Sequence, residues 1–172
     1  MLVGGTALAL QLGHRISIDI DLFGPCEIDE NLFLEKLKTN GTIQVLKKSK
    51  NILICSVDGV KVDFVNYHYP LLDIPIKYNS IRMAGLKDIA AMKINAIAGR
   101  GSKKDFIDIY YLLQYFTLDE MIELYLQKYK DGSEFLVRKS LTYFDDAEDE
   151  QMPFMFENIS WISIKEKILK SQ

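Results

Sequence analysis

The stretch that decides the fold is residues 4–23, GGTALALQLGHRISIDIDLF. Gly4 and Gly5 predict a turn that leads into a helix over residues 6–12. Residues 15–23 then alternate between apolar and polar side chains with the period of a β-strand. A turn, a short helix and a strand in such close succession indicate a mixed α and β architecture.

The predicted strand places two carboxylates side by side. Asp19 and Asp21 would project from one face about 7 Å apart, while Ile18, Ile20 and Leu22 pack on the other face. Neighbouring carboxylates repel each other unless a cation lies between them. Mg²⁺ suits this gap, because it takes one or two carboxylate ligands and completes its shell with water and substrate phosphates. The pair alone is equally typical of the outward face of a half-exposed sheet.

A predicted hairpin brings in a third acid. Residues 51–57 and 60–65 are apolar, β-branched runs, and Asp58–Gly59 between them is a dipeptide favoured in two-residue type I′ turns. Asp63 lies in the second run. If that run pairs with the strand that carries the first two aspartates, three carboxylates converge, which suffices for a two-metal phosphoryl-transfer site.

The other elements follow from capping signals and helical periodicity. A helix is predicted over residues 30–39, with Asp29 as its N-cap and Asn40–Gly41 as its end. The second half is helical and begins with residues 86–100 after Gly85. Three further helix starts carry the spacing of a capping box: Ser102 with Asp105, Thr117 with Glu120, and Ser163 with Glu166.

These elements predict an α+β fold with a shared core. Residues 1–80 form a small mixed sheet with flanking helices, and residues 81–172 form a helical region packed on it. The two regions are equally compatible with one single domain. With 172 residues, of which 48% are hydrophobic, the chain can bury a substantial core.

Composition excludes several classes of protein. The net charge of −3 argues against indiscriminate binding of nucleic acid. No stretch reaches the ~18 consecutive apolar residues of a membrane span, and the N-terminus lacks the order of a signal peptide, so a cytoplasmic protein with no membrane contact is predicted. Cys26 and Cys55 lie far apart with no C-x-x-C pair, which predicts reduced cysteines rather than a zinc site or a disulfide.

A phosphate site is predicted just ahead of the aspartates. Gly4-Gly5-Thr6 lets the backbone approach an anion closely at the start of a helix, where free N–H groups and the helix dipole favour phosphate. A plain strand-to-helix turn would use the same glycines. The combination with two nearby acids and a third on a later strand favours the phosphate interpretation.

In this order and spacing the motifs resemble a known family. GGTALALQLGHRISIDIDLF is similar to the signature of polymerase-beta-type nucleotidyltransferases, and specifically of the AbiEii/AbiGii toxin family. The likeness continues through VKVDFV and GLKDIAAMKINAIAGRGSKKDFIDIYYLL into SLTYFDDAEDEQMPFM, nearly the whole chain. It implies a polymerase-beta-like nucleotidyltransferase core and a helical C-terminal half that closes over the nucleotide.

The resemblance also implies roles for individual residues. Gly4-Gly5-Thr6 would hold the phosphates of a nucleoside triphosphate. Asp19 and Asp21 would bind one or two Mg²⁺ ions; Asp63 as a further ligand is predicted from the strand pattern above, and the resemblance alone does not fix this third acid. Lys93 matches the later lysine of the family, and the later aspartate corresponds to Asp105 or Asp108.

The presence of several of these residues can also be explained without the family resemblance. Lys93 lies on an apolar helix face, either as a snorkelling lysine or as a cation aimed at phosphate. Asp105 could serve only as a helix cap. Asp108 could pair with Lys93 or act as a base on the attacking hydroxyl. Arg15 and Arg100 are further phosphate contacts of lower rank, because arginines that flank an element are usually solvated.

The implied reaction is nucleotidyl transfer. An acceptor hydroxyl attacks the α-phosphate of a nucleoside triphosphate in the presence of Mg²⁺, and pyrophosphate leaves. The resemblance implies an RNA acceptor such as the 3′ end of a tRNA, and the role of a toxin with a cognate antitoxin in a toxin–antitoxin or phage abortive-infection system. Two alternatives stay open: transfer of AMP to a protein hydroxyl, and a catalytically silent relative that binds a nucleotide or a partner.

Overall fold

The computed structural model describes residues 1–38 and 41–172, and it shows one mixed sheet with helices packed against it. In chain order the elements are β1 (Leu2–Val3), α1 (Gly4–Leu12), β2 (Ile20–Gly24), α2 (Glu30–Lys38), β3 (Ile43–Ser49), β4 (Ile52–Val57), β5 (Val60–Asn66), β6 (Ile76–Tyr78), β7 (Ile81–Met83), α3 (Leu86–Gly99), α4 (Lys103–Leu112), α5 (Leu118–Lys128), α6 (Glu134–Leu141), α7 (Asp145–Glu148) and α8 (Trp161–Leu169). The strand order is β3-β4-β5-β2-β1-β7-β6. Strand β2 runs parallel to β5 and β1 parallel to β7, while the other pairs are antiparallel. The α+β prediction is confirmed.

The predicted hairpin and the first surface helix are confirmed. Strands β4 and β5 meet at Asp58 and Gly59, whose φ angles of +48° and +86° are the two left-handed conformations of a type I′ turn. The carboxylate of Asp29 accepts a hydrogen bond of 3.1 Å from the backbone N–H of Leu32, as an N-cap does. The predicted end of that helix at Asn40 lies outside the described residues.

The strand predicted over residues 15–23 is shorter than its alternation suggests. Strand β2 begins at Ile20, so Asp19 lies in the extended segment before it. The expectation that Ile18 packs against the sheet is wrong, because this side chain is 73% exposed. The physical reason is the lack of a partner strand at Ile18 among the described residues. Strand β1 is two residues long, and within β2 it pairs only with Asp21 and Leu22.

The segment before β2 pairs instead with a distant part of the chain. The backbone N–H of Ile16 donates to the carbonyl of Phe154 at 2.9 Å, and that of Phe156 donates to the carbonyl of His14 at 3.2 Å. These two bonds attach residues 152–156 beside the start of β2. The C-terminal half therefore contributes to the surroundings of the predicted site.

Helix α3 is the centre of the hydrophobic core. It packs against α1, α4, α5 and α6, and its Ile89, Ile94 and Ile97 are buried. One continuous cluster of buried side chains extends from β1 to α8, across the predicted division at residue 80. None of the helices in the described ranges has an apolar stretch of the length that a bilayer requires.

The three predicted capping boxes have different outcomes. Thr117 forms a complete capping box with Glu120 and is confirmed. Ser102 is the N-cap of α4, but no side-chain bond caps the helix, because its hydroxyl donates to the carboxylate of Asp105 at 2.6 Å. The prediction at Ser163 is wrong: α8 begins at Trp161 and its N-cap is the preceding serine.

Candidate active site

Two of the predicted carboxylates face each other across neighbouring strands. Asp21 of β2 is paired in register with Asp63 of the parallel strand β5, so both side chains project from the same face of the sheet. Burial, and after it the charge of Asp63, raises the pKa of Asp21 above its ordinary value. The ammonium of Lys61 lies 2.8 Å from the Asp63 carboxylate and supplies partial compensation. The arrangement stabilises a cation beside Asp21.

The absence of side chains in the glycine turn leaves space for the Asp21 carboxylate. Helix α1 begins at Gly4, two residues earlier than predicted, with a φ of +68°. A Cβ atom at Gly4 would overlap the Asp21 carboxylate, and one at Gly5 would overlap the guanidinium of Arg15. Val3 offers no side-chain cap, so the first N–H groups of α1 have no such partner. A glycine pair is therefore required for the close approach of these charged groups.

Asp19 lies on the other side of this turn, where Thr6 fixes its backbone. The Thr6 hydroxyl donates to the carbonyl oxygen of Asp19 and lies 2.9 Å from the Ser17 hydroxyl. The Asp19 side chain is 37% exposed, and its carboxylate lies 3.6 Å from the ammonium of Lys104. Thr6, which the resemblance assigns to phosphate binding, here also positions a candidate metal ligand.

Lys93 is the central cation of the site. Its side chain is 5% exposed, and its ammonium lies 2.8 Å from Asp105 and 2.6 Å from Asp108. Burial opposes the charge, but the two carboxylates raise the pKa of Lys93 above its ordinary value. The snorkelling alternative is wrong, because the ammonium is held inside the protein rather than in bulk water.

Asp108 is an anchor for three cationic or polar groups. Its carboxylate lies 2.8 Å from His14 Nε2, and it accepts hydrogen bonds from Arg15 at 2.7 and 2.9 Å. Burial alone would raise its pKa, but Lys93, His14 and Arg15 hold the pKa of Asp108 far below its usual range. Because this fully buried carboxylate is already bound by His14, Arg15 and Lys93, the contacts support the pairing alternative for Asp108.

Arg15 differs from the expected solvated arginine. It is buried, and its guanidinium is used for Asp108 and for the backbone carbonyl of Ile16. Burial opposes its charge, but the Asp108 carboxylate raises the pKa of Arg15. The expectation of a solvated side chain is wrong, because Arg15 contacts Asp108 and the glycine turn; it also lines the smaller of the two cavities described below, and its contact with phosphate stays a prediction.

Asp105 contacts both the buried Lys93 and the exposed Arg100. Besides Lys93, its carboxylate accepts hydrogen bonds from Arg100 at 2.8 and 3.1 Å. Burial alone would raise its pKa, but Lys93 and Arg100 hold the pKa of Asp105 far below its usual range. The Arg100 side chain itself is 62% exposed and can reach an outside anion. Asp105 is therefore more than the helix cap that its position suggests.

Two cavities meet at this cluster. The larger, of about 520 Å³, is lined at one end by Gly4, Asp21 and Asp63. The smaller, of about 290 Å³, is lined by Gly5, Arg15, Asp19, Lys104 and Pro153 among others. Asp21, Lys93 and Arg100 line both. The volume of the larger cavity lies in the range that small-molecule ligands occupy.

The aromatic lining of the larger cavity was not predicted from the sequence. Tyr67, Tyr69, Tyr125 and Tyr129 line it, and their neighbouring rings contact one another at centroid distances of 4.8 to 5.3 Å. The hydroxyls of Tyr67 and Tyr129 lie 2.7 Å apart. The four tyrosines come from two segments more than 50 positions apart, so no local spacing could have grouped them.

The carboxylates fit a hard divalent cation. Their oxygens are the ligands that Mg²⁺ prefers, and the two like charges of Asp21 and Asp63, side by side on neighbouring strands, favour a cation between them. Across residues 1–38 and 41–172, no three acidic, histidine or cysteine side chains are gathered around one point. Asp21 instead belongs to two pairs, with Asp63 in one cavity and with Asp19 in the other. An ion here would take one or two carboxylates and complete its shell with water and substrate.

Comparison with solved structures finds proteins of the same fold. MenT4, a nucleotidyltransferase toxin from Mycobacterium tuberculosis, superposes with a TM-score of 0.65 at 13% identity, covering 99% of this chain and 73% of MenT4. JHP933 from Helicobacter pylori superposes with a TM-score of 0.58 at 19% identity, covering 98% of this chain and 79% of JHP933. These two likenesses show the fold that the proteins share.

Sequence comparison adds the family. The chain is 40% identical over 173 aligned positions to an uncharacterized protein of Aquifex aeolicus, which covers 96% of this chain and 82% of that protein. Residues 1–169 match the profile of the nucleotidyl transferase AbiEii toxins of type IV toxin–antitoxin systems. The resemblance inferred from the motifs is thereby confirmed, and the chain belongs to the AbiEii nucleotidyltransferase toxin family.

Proposed function

We propose that this nucleotidyltransferase moves a nucleoside monophosphate from a nucleoside triphosphate to an acceptor hydroxyl, with Mg²⁺ held by Asp21 and by Asp19 or Asp63. The observation that carries the proposal is the contact between the Asp21 carboxylate and the glycine turn, with Asp63 beside it. That contact places a metal-binding carboxylate directly at a helix N-terminus, where phosphates bind.

Each part of the site has a separate task in this proposal. The N–H groups of Gly4 and Gly5 at the start of α1 donate to phosphate oxygens. Lys93, where the two cavities meet, stabilises the negative charge that develops on the transferred phosphoryl group. Mg²⁺, when bound by the carboxylates, neutralises the triphosphate and polarises its α-phosphate.

The bond changes follow from this placement. The acceptor oxygen forms a bond to the α-phosphorus, and the bond from that phosphorus to the bridging oxygen breaks, so pyrophosphate leaves with both electrons of that bond. The acceptor proton passes to solvent or to a partly exposed carboxylate such as Asp19. Asp108 takes no part in that step, because its oxygens are already bound by His14, Arg15 and Lys93.

The acceptor in this proposal is RNA, such as the 3′ end of a tRNA, in the cytoplasm. Support comes from the smaller cavity, where Lys104 and Arg100 offer exposed cations beside Asp19. Exposed apolar side chains of Ile18 and Phe154 lie on the two segments at its rim. Cations for phosphates together with apolar surface for unpaired bases are typical of single-stranded nucleic-acid sites. The membership in a toxin family implies a cognate antitoxin as a further partner.

The test is label transfer from each of the four α-labelled nucleoside triphosphates onto total RNA and total protein, in the presence of Mg²⁺. Wild-type protein is compared with Asp21→Ala and with Asp149→Ala, which removes an exposed acid that lines neither cavity. We expect label on RNA with the wild type and the control, and none with Asp21→Ala.

Two other results would change the proposal. Label on protein would support transfer of AMP or another nucleotide to a protein hydroxyl. No label on either acceptor, from protein whose circular dichroism shows a folded state, would support a relative that binds nucleotide without turnover. Chelation of divalent cations with EDTA should abolish transfer, and transfer that persists would contradict the metal dependence.

A further inference from the structure

The larger cavity has two chemically different ends. Gly4, Asp21, Asp63 and Lys93 form a charged end, suited to a metal ion and phosphates. At the other end the lining is aromatic and comes from the four tyrosines, residues 67, 69, 125 and 129. A nucleoside triphosphate has the same two parts, a polyanionic chain and a flat, largely apolar base. The order of the two ends therefore matches the ligand that the proposed function requires.

The aromatic end is a cluster of rings in contact, of which Tyr69 is the exposed one. Tyr69 contacts the rings of Tyr67 and Tyr129 at 4.9 and 4.8 Å, and it is 45% exposed. Tyr125 and Tyr129 are buried behind it. Burial raises the pKa of Tyr129 to about 12, so its hydroxyl stays protonated and keeps the bond to Tyr67 at neutral pH. A ring held on two sides loses little side-chain freedom when a base stacks on it.

Helix α3 leaves space in the same cavity. Ala96 and Gly99 line the same cavity with small side chains, and a Cβ atom at Gly99 would meet no atom within 4 Å. Two exposed polar side chains, those of Asn95 and Asp131, also line this cavity. Asp131 at neutral pH is an acceptor of hydrogen bonds and offers no donor.

We infer that this aromatic end binds the nucleobase of the substrate nucleotide, with Tyr69 as the stacking ring and Asp131 as the acceptor for an exocyclic amino group. The inference rests on the proposed function, because it identifies the base subsite of the same cavity. It predicts that cytosine is preferred to uracil, since the two differ at position 4, where cytosine has an amino group and uracil a carbonyl oxygen. Adenine and guanine, which also have amino groups, remain compatible.

The first experiment separates the base from the phosphates. Binding of the α,β-methylene analogue of CTP is measured by isothermal titration with Mg²⁺, because its bridging carbon blocks cleavage between the α- and β-phosphates. We expect Tyr69→Ala to weaken binding about tenfold to a hundredfold, and Tyr69→Phe to bind within about twofold of the wild type. Inorganic tripolyphosphate, which has no base, should bind Tyr69→Ala and wild-type protein equally well.

The second experiment tests whether Asp131 recognises the exocyclic amino group of the base. The affinity ratio of the methylene analogues of CTP and UTP is measured for wild-type protein and for Asp131→Asn. We expect the ratio to favour the cytosine analogue in the wild type and to fall about tenfold in the variant, because an asparagine can donate to the uracil carbonyl. Tyr115→Ala removes an exposed tyrosine that follows α4 and does not line the larger cavity; it serves as the control and should change neither experiment.

Failure of the proposed function and failure of the base subsite give different results. If the wild type binds neither the CTP analogue nor tripolyphosphate, the proposed function fails and the base subsite with it. If both bind and Tyr69→Ala binds the analogue as tightly as the wild type, the proposed function stands and the stacking role of Tyr69 is wrong. Equal losses in Tyr69→Ala and Tyr69→Phe would also contradict stacking, because the ring is retained in the second variant. An unchanged cytosine-to-uracil ratio in Asp131→Asn would remove the role of Asp131.

Discussion

The glycine at the start of α1 is the residue on which the active site depends most directly. Gly4 and Gly13 have similar φ angles, +68° and +63°, but a Cβ atom at Gly13 would meet no atom within 4 Å. We expect Gly13→Ala to cost about 1 kcal/mol of stability, the penalty of a left-handed conformation. Gly4→Ala should cost roughly 1 to 3 kcal/mol more, because its methyl group displaces the Asp21 carboxylate.

Urea unfolding of both variants and label transfer at saturating Mg²⁺ measure this difference. Gly13→Ala should keep nearly full transfer, while Gly4→Ala should lose most of it. Equal stabilities for the two variants would show that the Asp21 side chain moves aside at no cost. In that case the tight contact between the turn and the carboxylate would have no role in positioning the metal ligand.

Single residues of the site were predictable where the signal was local. Asp21 and Asp63 followed from strand alternation and from a turn dipeptide, and their pairing in register confirms that inference. The partners of Asp108 were not predictable, because His14 and Arg15 lie 94 and 93 positions away. An arginine next to a strand has the same local pattern whether it is solvated or buried. What distinguishes the two cases is tertiary packing, which the spacing of residues does not encode.

At the scale of elements, a buried ion pair joins α5 to α3 and to the segment before α3. The ammonium of Lys128 lies 2.7 Å from the Asp88 carboxylate and 2.6 Å from the carbonyl of Pro70. Asp88 also accepts hydrogen bonds from the backbone of Leu72 and Asp73. The pair therefore fixes the chain that follows the two tyrosines after β5, next to the proposed base subsite.

Removal of one partner should be costly. We expect Lys128→Met to destabilise the protein by about 3 to 5 kcal/mol, because it leaves the Asp88 carboxylate buried without its cation. Asp88→Asn should cost less, since the amide keeps the size of the side chain. The loss of unfolding free energy in the double variant should be smaller than the summed losses of the two single variants, by at least about 1 kcal/mol. Additive losses in chemical unfolding would contradict direct coupling of the two helices through this pair.

Elements with their own start and stop signals were predicted best. The hairpin at Asp58–Gly59 and the helix after Thr117 both carry those signals, and both are confirmed. Strand β2 was predicted too long, because alternation continues through Ile18 although no neighbouring strand is there to pair with it. Pairing is a property of the sheet, so alternation sets which residues can form a strand but not where the strand begins.

At the scale of the whole molecule, the buried aspartates make stability depend on acid. Asp105 and Asp108 have pKa values below the ordinary value of about 3.9, so the unfolded chain binds more protons than the folded one in acid. Their stabilisation is complete above about pH 4 and is lost as the pH falls further. These two carboxylates should contribute no change in the urea midpoint between pH 5 and 7 and a loss of roughly 2 kcal/mol each in stronger acid. Asp21, whose pKa is raised by burial, instead contributes a loss of stability as the pH rises through its pKa.

A substitution of an exposed residue tests whether Asp105 contributes to this acid dependence. Arg100→Gln removes one of the two cations beside Asp105, and the exposed arginine is a change that the fold should tolerate. The pKa of Asp105 in the folded state then rises, so acid unfolding should begin at a higher pH than in the wild type. Arg138→Gln, which breaks exposed ion pairs on α6, is the control and should leave the acid midpoint unchanged. Identical midpoints for all three proteins would contradict the assignment.

The shared carboxylate of Asp108 also has a consequence for how the sequence can change over generations. His14, Arg15 and Lys93 all contact this one side chain, from the segment after α1 and from α3. A lineage that lost Asp108 would leave Arg15 buried without its carboxylate partner and Lys93 with Asp105 alone, and a lineage that lost Arg15 would leave Lys93 as the one lysine or arginine in contact with Asp108. Such a set is inherited together or replaced together, so its members should covary among descendants even at positions that never touch a substrate.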